Sequence, residues 1–303
     1  MARGEELSWQ TVQEIQHIFR DGLDDLRVRL DRLSTYPKLQ PDATTEDRVK
    51  FVTLLLAYGV FVHGSAAYQL YLGGVEKAIA ANIRPMIECG LRAQYLMINP
   101  NKANDYIDSD PFERWHMAKN YSKRRGRRQK LWPDCIKVLL KRPELVGGRD
   151  AVQALIENEK AILKGKVRSR FDEVLAKLRF PEPFTMLREM HKHDHNWNDD
   201  LYAVIGGLGH QAIHASIIFL TDAIRDSISS DYMVFDFSLK SDAIPEYLLQ
   251  SAVYPIGMCE RLDALFVVPQ AMNEHTAKIH AQHTYLTNRL RDIGYITRII
   301  GRE

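Results

Sequence analysis

The chain has 303 residues, with 41 lysines and arginines against 39 aspartates and glutamates and a formal net charge of +2. Apolar residues make up 45%, charged 26% and aromatic 9%, which excludes a disordered, collagen-like or disulfide-stapled chain. Three cysteines, Cys89, Cys135 and Cys259, lie far apart without C-x-x-C spacing, so they frame no zinc site and point to no oxidising compartment.

The start, Met1-Ala2-Arg3-Gly4-Glu5-Glu6, leads into a charged amphipathic stretch rather than an apolar one, so no signal peptide is expected and the expected address is the cytoplasm. Ser8 can cap a helix to about Leu33, with Val12, Ile15, Ile18, Phe19 and Leu23 at helical spacing before Pro37 and Pro41. Thr44 with Asp47 three residues on reads as a capping box that uses Asp for the usual Glu. The helix that follows carries no charged residue between Lys50 and Glu76 and should end near Gly73-Gly74. A third helix runs through Arg84, Glu88 and Tyr95 to Asn99-Pro100, with Pro85 expected to start or kink it. Asp110-Pro111-Phe112-Glu113 reads as an N-cap, an N1 proline and an acidic first turn.

No acid occurs from Arg114 to Pro133, and Pro133 is expected to interrupt the helix there. Residues 148–178 read as one long polar helix, closed by Pro181 and Pro183. Short helical segments lead through His191–Asn198 into a second uncharged helix between Asp200 and Asp222. The stretch 230–245 is the one place where a strand or irregular segment is expected, and helices over about 244–268 and 271–299 finish the chain. The two uncharged stretches are long enough to span a bilayer. His63, Ser65, Gln69 and Tyr58, Tyr68 and Tyr71 in the first, and His210, Gln211 and His214 in the second, favour helices of a soluble core, so no membrane is expected.

The expected fold is therefore an all-α helical bundle with additional C-terminal helices in a single compact domain. It divides into an N-terminal helix over 1–43, a helical core carrying the candidate site over 44–228, and a C-terminal extension over 229–303.

Arg84 and Glu88 stand i and i+4 on one helix face, and Tyr202, Gly206 and His210 share a face of the second uncharged helix. Burying such groups costs several kcal/mol each unless they satisfy one another, a cost often accepted at a functional site. The alternative is a structural ion pair beside a hydrogen-bonded core histidine. Ile83-Arg84-Pro85-Met86-Ile87-Glu88, then Tyr95-Leu96, then Leu201-Tyr202 and His210 resemble an uncharacterised family of bacterial α-helical proteins. That family has an Arg-Pro-x-x-Glu helix and a Tyr-x-x-x-Ser-x-x-x-His helix. The resemblance covers roughly residues 45–225, and Gly206 stands where the family pattern has Ser.

The family's layout is in turn similar to HEPN-type helical proteins, several of which are metal-independent ribonucleases of toxin and phage-defence systems. That likeness implies a HEPN-like core, Arg84, Glu88, Tyr202 and His210 as catalytic residues, no cofactor and no metal, RNA or a nucleotide as partner, and a homo-oligomer. HEPN nucleases carry Arg-x(4–6)-His, and Arg188 with His193 or His195 fits it, His214 being a further candidate. In such chemistry a histidine moves the proton of a ribose 2′-OH while an arginine stabilises the pentavalent phosphate.

Seven cations between positions 119 and 130, Lys119, Lys123, Arg124, Arg125, Arg127, Arg128 and Lys130, could grip phosphates. The run His191-Lys192-His193-Asp194-His195 opens a third reading, a metal-dependent phosphohydrolase. It lacks the upstream histidine an HD-type site needs, and Glu113-x-x-His116 is a single copy of a di-iron motif. No Walker loop, G-x-G-x-x-G or G-x-S-x-G occurs. The leading expectation is a HEPN-like effector acting on RNA or a phosphate-rich ligand, and its rival a non-enzymatic helical sensor or scaffold working through protein partners.

Overall fold

The structure is a computed structural model that describes residues 7–36, 39–40, 42–74, 76–120, 125–193, 244–267 and 269–293. Among these residues every regular element is a helix and no strand occurs, so the fold is all-α. Of the stretch expected to be irregular, residues 230–243 lie outside the described residues, and Ile244 begins a helix.

Helix α1 spans Trp9–Leu33, and Ser8 caps it by accepting a bond from the Thr11 N–H at 3.2 Å. Helix α2 spans Thr45–Leu72 behind a reciprocal capping box. The Thr44 N–H donates to Asp47 Oδ2 at 3.1 Å, and the Asp47 N–H donates to Thr44 Oγ1 at 3.1 Å. The Thr44 hydroxyl, donating to Asp47 Oδ2 at 2.7 Å, and then the Thr44 N–H hold the Asp47 carboxyl below its ordinary pKa.

Prolines are where the sequence expectations need correcting. Helix α3 spans Glu76–Ile98 straight through Pro85. Helix α4 spans Lys102–Asn120 through Pro111, beginning well before the expected start at Asp110. Helix α5 spans Arg125–Lys141 through Pro133. An interior proline costs about 3 kcal/mol in an isolated helix. Here each one is flanked by residues that bury on both sides: Ile83, Met86 and Ile87 in α3, Ala103, Phe112 and Trp115 in α4, and Trp132, Cys135 and Leu139 in α5. Burial at roughly 1.5–3 kcal/mol per large side chain outweighs the lost bond.

The opposite correction applies to 148–178. That stretch is divided into α6 (Arg149–Glu157), α7 (Glu159–Leu163) and α8 (Phe171–Leu178). The chain turns between α7 and α8 through Gly165 at φ 72° and Arg170 at φ 60°, left-handed conformations that end a helix. A continuous helix would carry Val152, Leu155, Ile162, Phe171 and Leu175 about 35 Å along one rod, whereas all five lie in one core. Helix α9 is Pro183–His193, α10 Ile244–Ser251, α11 Val253–Leu265 and α12 Gln270–Asp292, so the expected helix 244–268 is broken at Ala252.

The chain divides into two compact units, the first drawn from 1–38, 53–98 and 182–303, the second from 39–52 and 99–181. In the first, α1 packs against α10, α11 and α12, and α3 packs against α9, α10 and α11. The core of α1 is Ile15, Ile18, Phe19, Leu23 and Leu26. Helix α3 meets α11 at Gly90, where an added Cβ would lie 2.5 Å from the Tyr254 ring, so the close approach requires glycine. Helix α2 is long and apolar enough to cross a membrane, with mean hydropathy 1.5 over an 18-residue window. One of its faces buries Leu56, Ala57, Val60 and Ala67, and the other leaves Leu55, Tyr58 and Val62 exposed.

In the second unit, four aromatic rings form the centre. Phe171 lies 5.3 Å from Phe112, 5.0 Å from Trp115 and 5.4 Å from Trp132 between ring centroids. Leu139, Val146, Val152, Val174 and Leu178 close the core around them.

Candidate functional site

Arg84, Glu88, Arg92 and Tyr95 follow i, i+4, i+8, i+11 spacing, which aligns them on one side of α3, while Met86 and Ile87 bury on other sides and Leu91 buries at the edge of the row. Arg84 Nε donates to Glu88 Oε1 at 2.9 Å, and Arg92 Nη2 stands 3.6 Å from Glu88 Oε2. One carboxylate thus sits between two guanidinium groups. Their side chains are 25%, 19% and 34% exposed for Arg84, Glu88 and Arg92, partly desolvated but reachable. In that setting charge acts more strongly than in bulk water.

At the far end of the row the Tyr95 hydroxyl donates a short hydrogen bond to Glu189 Oε2 of α9. Burial, then the hydrogen bond and charge of Glu189, push the phenol pKa up, so Tyr95 stays protonated as a donor. Helix α9 is held by the buried Met186, Leu187 and Met190, which fixes Glu189 against α3. Two guanidinium groups ordered by a shared carboxylate can receive an oxyanion.

The structure brings Arg84 and Glu88 together as the spacing predicts. Tyr202, His210, His214 and His195 lie outside the described residues, as do Lys123 and Arg124. The side chains of Lys119, Arg125 and Arg127 also lie outside them, although α4 and α5 contain those positions. Arg188 and His193 are both exposed, but five positions on a continuous helix turn about 140°, so they point apart rather than converge. His191 and His193 are two positions apart and face opposite sides of α9. Among the described residues no three metal-ligating side chains gather.

Of the basic run, Lys130 is exposed and Arg128 is held over the Trp115 ring at 6.0 Å. Arg128 is therefore tied to the core of the second unit. Glu113 and His116 reach different partners: Glu113 approaches Arg179 at 4.0 Å, and His116 Nδ1 pairs with Asp172 at 2.9 Å.

Sequence reading overlooked three polar groups of the first unit. Arg29 is fully buried, and its guanidinium binds Asp25 Oδ1 at 2.6 Å, Asp263 Oδ1 and Oδ2 at 2.7 Å each, and Thr276 Oγ1 at 2.6 Å. A signal existed: Asp25 and Arg29 continue the helical phase of Ile15, Ile18, Gly22 and Leu26 into the core. Arg261 on α11 donates to its own helix at Gly257 O, 2.9 Å away, and burial brings its pKa down to about 10.

His283 of α12 bonds Leu249 O at 2.8 Å, which requires the Nε2–H tautomer. Burial, reinforced by His280, lowers its pKa and outweighs the raising effect of the Leu249 carbonyl. The unfolded chain then binds a proton that the folded chain refuses. The stability this contributes is complete above about pH 6.5 and is lost as pH falls toward the lowered folded value. Melting temperature is accordingly expected to drop between pH 7 and pH 5, and His283→Gln, which keeps an amide donor for Leu249 O, should flatten that slope in a thermal-denaturation series.

The fold and the row define an all-α protein with a half-buried arginine–carboxylate–arginine array on one central helix. No family model, no curated protein and no solved structure matches the chain.

Proposed function

We propose that the protein is a helical effector that binds RNA or another phosphate-rich ligand along the polar face of α3 and cleaves RNA without a metal. The observation that carries this reading is the Arg84–Glu88–Arg92 row. The planar donors of two arginines on one side of α3 match phosphate oxygens. Glu88 orders the guanidinium groups, Arg84 and Arg92 hold the phosphate, and the Tyr95–Glu189 pair ties the end of the row to α9. His210 enters through the family resemblance as the group that takes the 2′-OH proton, with Tyr202 orienting it. The 2′-oxygen then attacks phosphorus to form a 2′,3′-cyclic phosphate, the bond from phosphorus to the 5′-oxygen breaks, and the 5′-oxygen takes a proton from water.

The test is incubation of EDTA-treated protein with mixed cellular RNA, beside Arg84→Ala and His210→Ala. Arg84→Ala is expected to lose at least tenfold in RNA retention and to abolish cleavage. It should keep the wild-type helical dichroism, because Arg92 remains beside Glu88 when Arg84 is truncated. Retention without cleavage reduces the reading to a binder. Neither retention nor cleavage overturns it in favour of the sensor or scaffold, for which the exposed Leu55, Tyr58 and Val62 of α2 offer the contact surface.

A further inference from the structure

We propose that a second site, in the unit formed by 39–52 and 99–181, binds a small phosphorylated molecule through its phosphate. A groove of about 360 Å³ opens among the first turns of α2 and α4 and the end of α5. That volume falls at the lower end of small-molecule sites. Ala43 is the one apolar residue in its lining, so the groove suits a polar ligand rather than a flat apolar ring.

Charge decides which polar ligand. The lining includes three cations, Arg48, Lys141 and Arg142, and two carboxylates, Asp105 and Asp108. The carboxylates are already answered. Arg142 Nη1 lies 2.7 Å from Asp105 and 3.3 Å from Asp108, and Lys102 Nζ lies 2.7 Å from the other Asp105 oxygen. Arg142 is itself shared with Glu144 at 3.2 Å. Arg48 and Lys141 are different. Among the described residues neither has a carboxylate partner, and Arg48 commits only its Nε, to Ala43 O at 3.3 Å. Two cations without counter-ions therefore face one groove, beside the amides of Asn101 and Asn104.

The start of α2 adds a polar wall rather than charge. Its capping box occupies the N–H groups of Thr44 and Asp47, and the acids Glu46 and Asp47 of its first turn offset the positive helix end beside Thr45, which lines the groove. An oxyanion with several acceptor oxygens matches this set of charged and amide donors, and a sugar-sized body matches the polar remainder. The carboxylates do not turn the groove into a cation site: with Glu144 they exceed Arg142 and Lys102 by one charge, and Arg48 and Lys141 bring the balance to one positive charge.

The site is tested by isothermal titration of the full chain with inorganic phosphate and with glycerol phosphate, on wild type, Lys141→Gln, Arg48→Gln and Arg84→Gln. Saturable binding is expected, weakened at least fivefold by Lys141→Gln and at least tenfold by Arg48→Gln, and still present in Arg84→Gln, which disables only the α3 row. Lys141 is exposed and makes no side-chain bond among the described residues, so its variant remains informative should Arg48→Gln fail to fold. Absence of saturable binding overturns the proposal, as does equal affinity in wild type and Lys141→Gln. Phosphate binding lost in Arg84→Gln alone overturns it too and places the anion on α3. Because the RNA reading rests on Arg84, Glu88 and Arg92, the two can fail separately.

Discussion

Arg29→Ala is expected to destabilise the unit built on α1 by about 3–5 kcal/mol, the cost of breaking a buried ion pair from one side. Burial opposes the Arg29 charge, yet the hydrogen bonds and charges of Asp263 and Asp25 more than offset it and hold its pKa above the ordinary value. Thr276 joins the same array, donating to Asp25 Oδ2 at 2.7 Å. Removing the guanidinium leaves Asp25 and Asp263 facing each other in the interior with neither solvent nor counter-charge. The effect should appear as a large fall in the urea midpoint by circular dichroism. The combined variant Arg29→Met, Asp25→Leu and Asp263→Leu should recover most of the loss, because a well-packed apolar replacement of a buried ionic cluster is often neutral. A single variant as stable as wild type would show that the array contributes nothing.

Phe171→Ala is the matching experiment in the second unit, with an expected cost of about 3–5 kcal/mol. Its ring touches Phe112, Trp115 and Trp132 at centroid separations of 5.0–5.4 Å, with interplanar angles of 78° and 71° to the first two. Truncation opens a cavity that the neighbouring rings are too rigid to refill. It also removes edge-to-face contacts worth about 0.5–1.5 kcal/mol each beyond area. Trp115 and Trp132 supply a direct readout, since their near-ultraviolet dichroism should weaken before the helical signal does. Phe171→Leu should cost less than half as much, because it keeps most of the volume. Unchanged tryptophan dichroism in Phe171→Ala would remove the ring from the centre of this core.

The contrast between these two residues shows what local pattern can reveal. Phe171 announces itself as an apolar residue in phase with Val174, Leu175 and Leu178. Arg29 shares the phase of its own apolar stripe equally well, but an arginine on a core face reads as an exception until its partners are known. Those partners are 234 and 247 positions away, at Asp263 and Thr276, and nothing local specifies them.

The candidate site divides the same way. The Arg84–Glu88 contact follows from i, i+4 spacing on one helix. The Tyr95–Glu189 contact joins residues 94 positions apart and depends on how α9 docks against α3. The groove with Arg48 and Lys141 has no sequence signature, since α2, α4 and α5 each contribute residues that look like ordinary solvated charges.

The sequence by itself determined the all-α class, the Ser8 cap, the Thr44–Asp47 capping box and the alignment of Arg84 with Glu88. Each depends on hydrogen-bond and side-chain geometry within a few residues, where helical periodicity is a sufficient guide. Tertiary structure alone decided that α3, α4 and α5 run through Pro85, Pro111 and Pro133, that 148–178 breaks into three helices, and that Asp263 and Thr276 complete the surroundings of Arg29. Those outcomes turn on the burial of side chains against partners remote in sequence, and that burial outweighs the local preferences from which a sequence can be read.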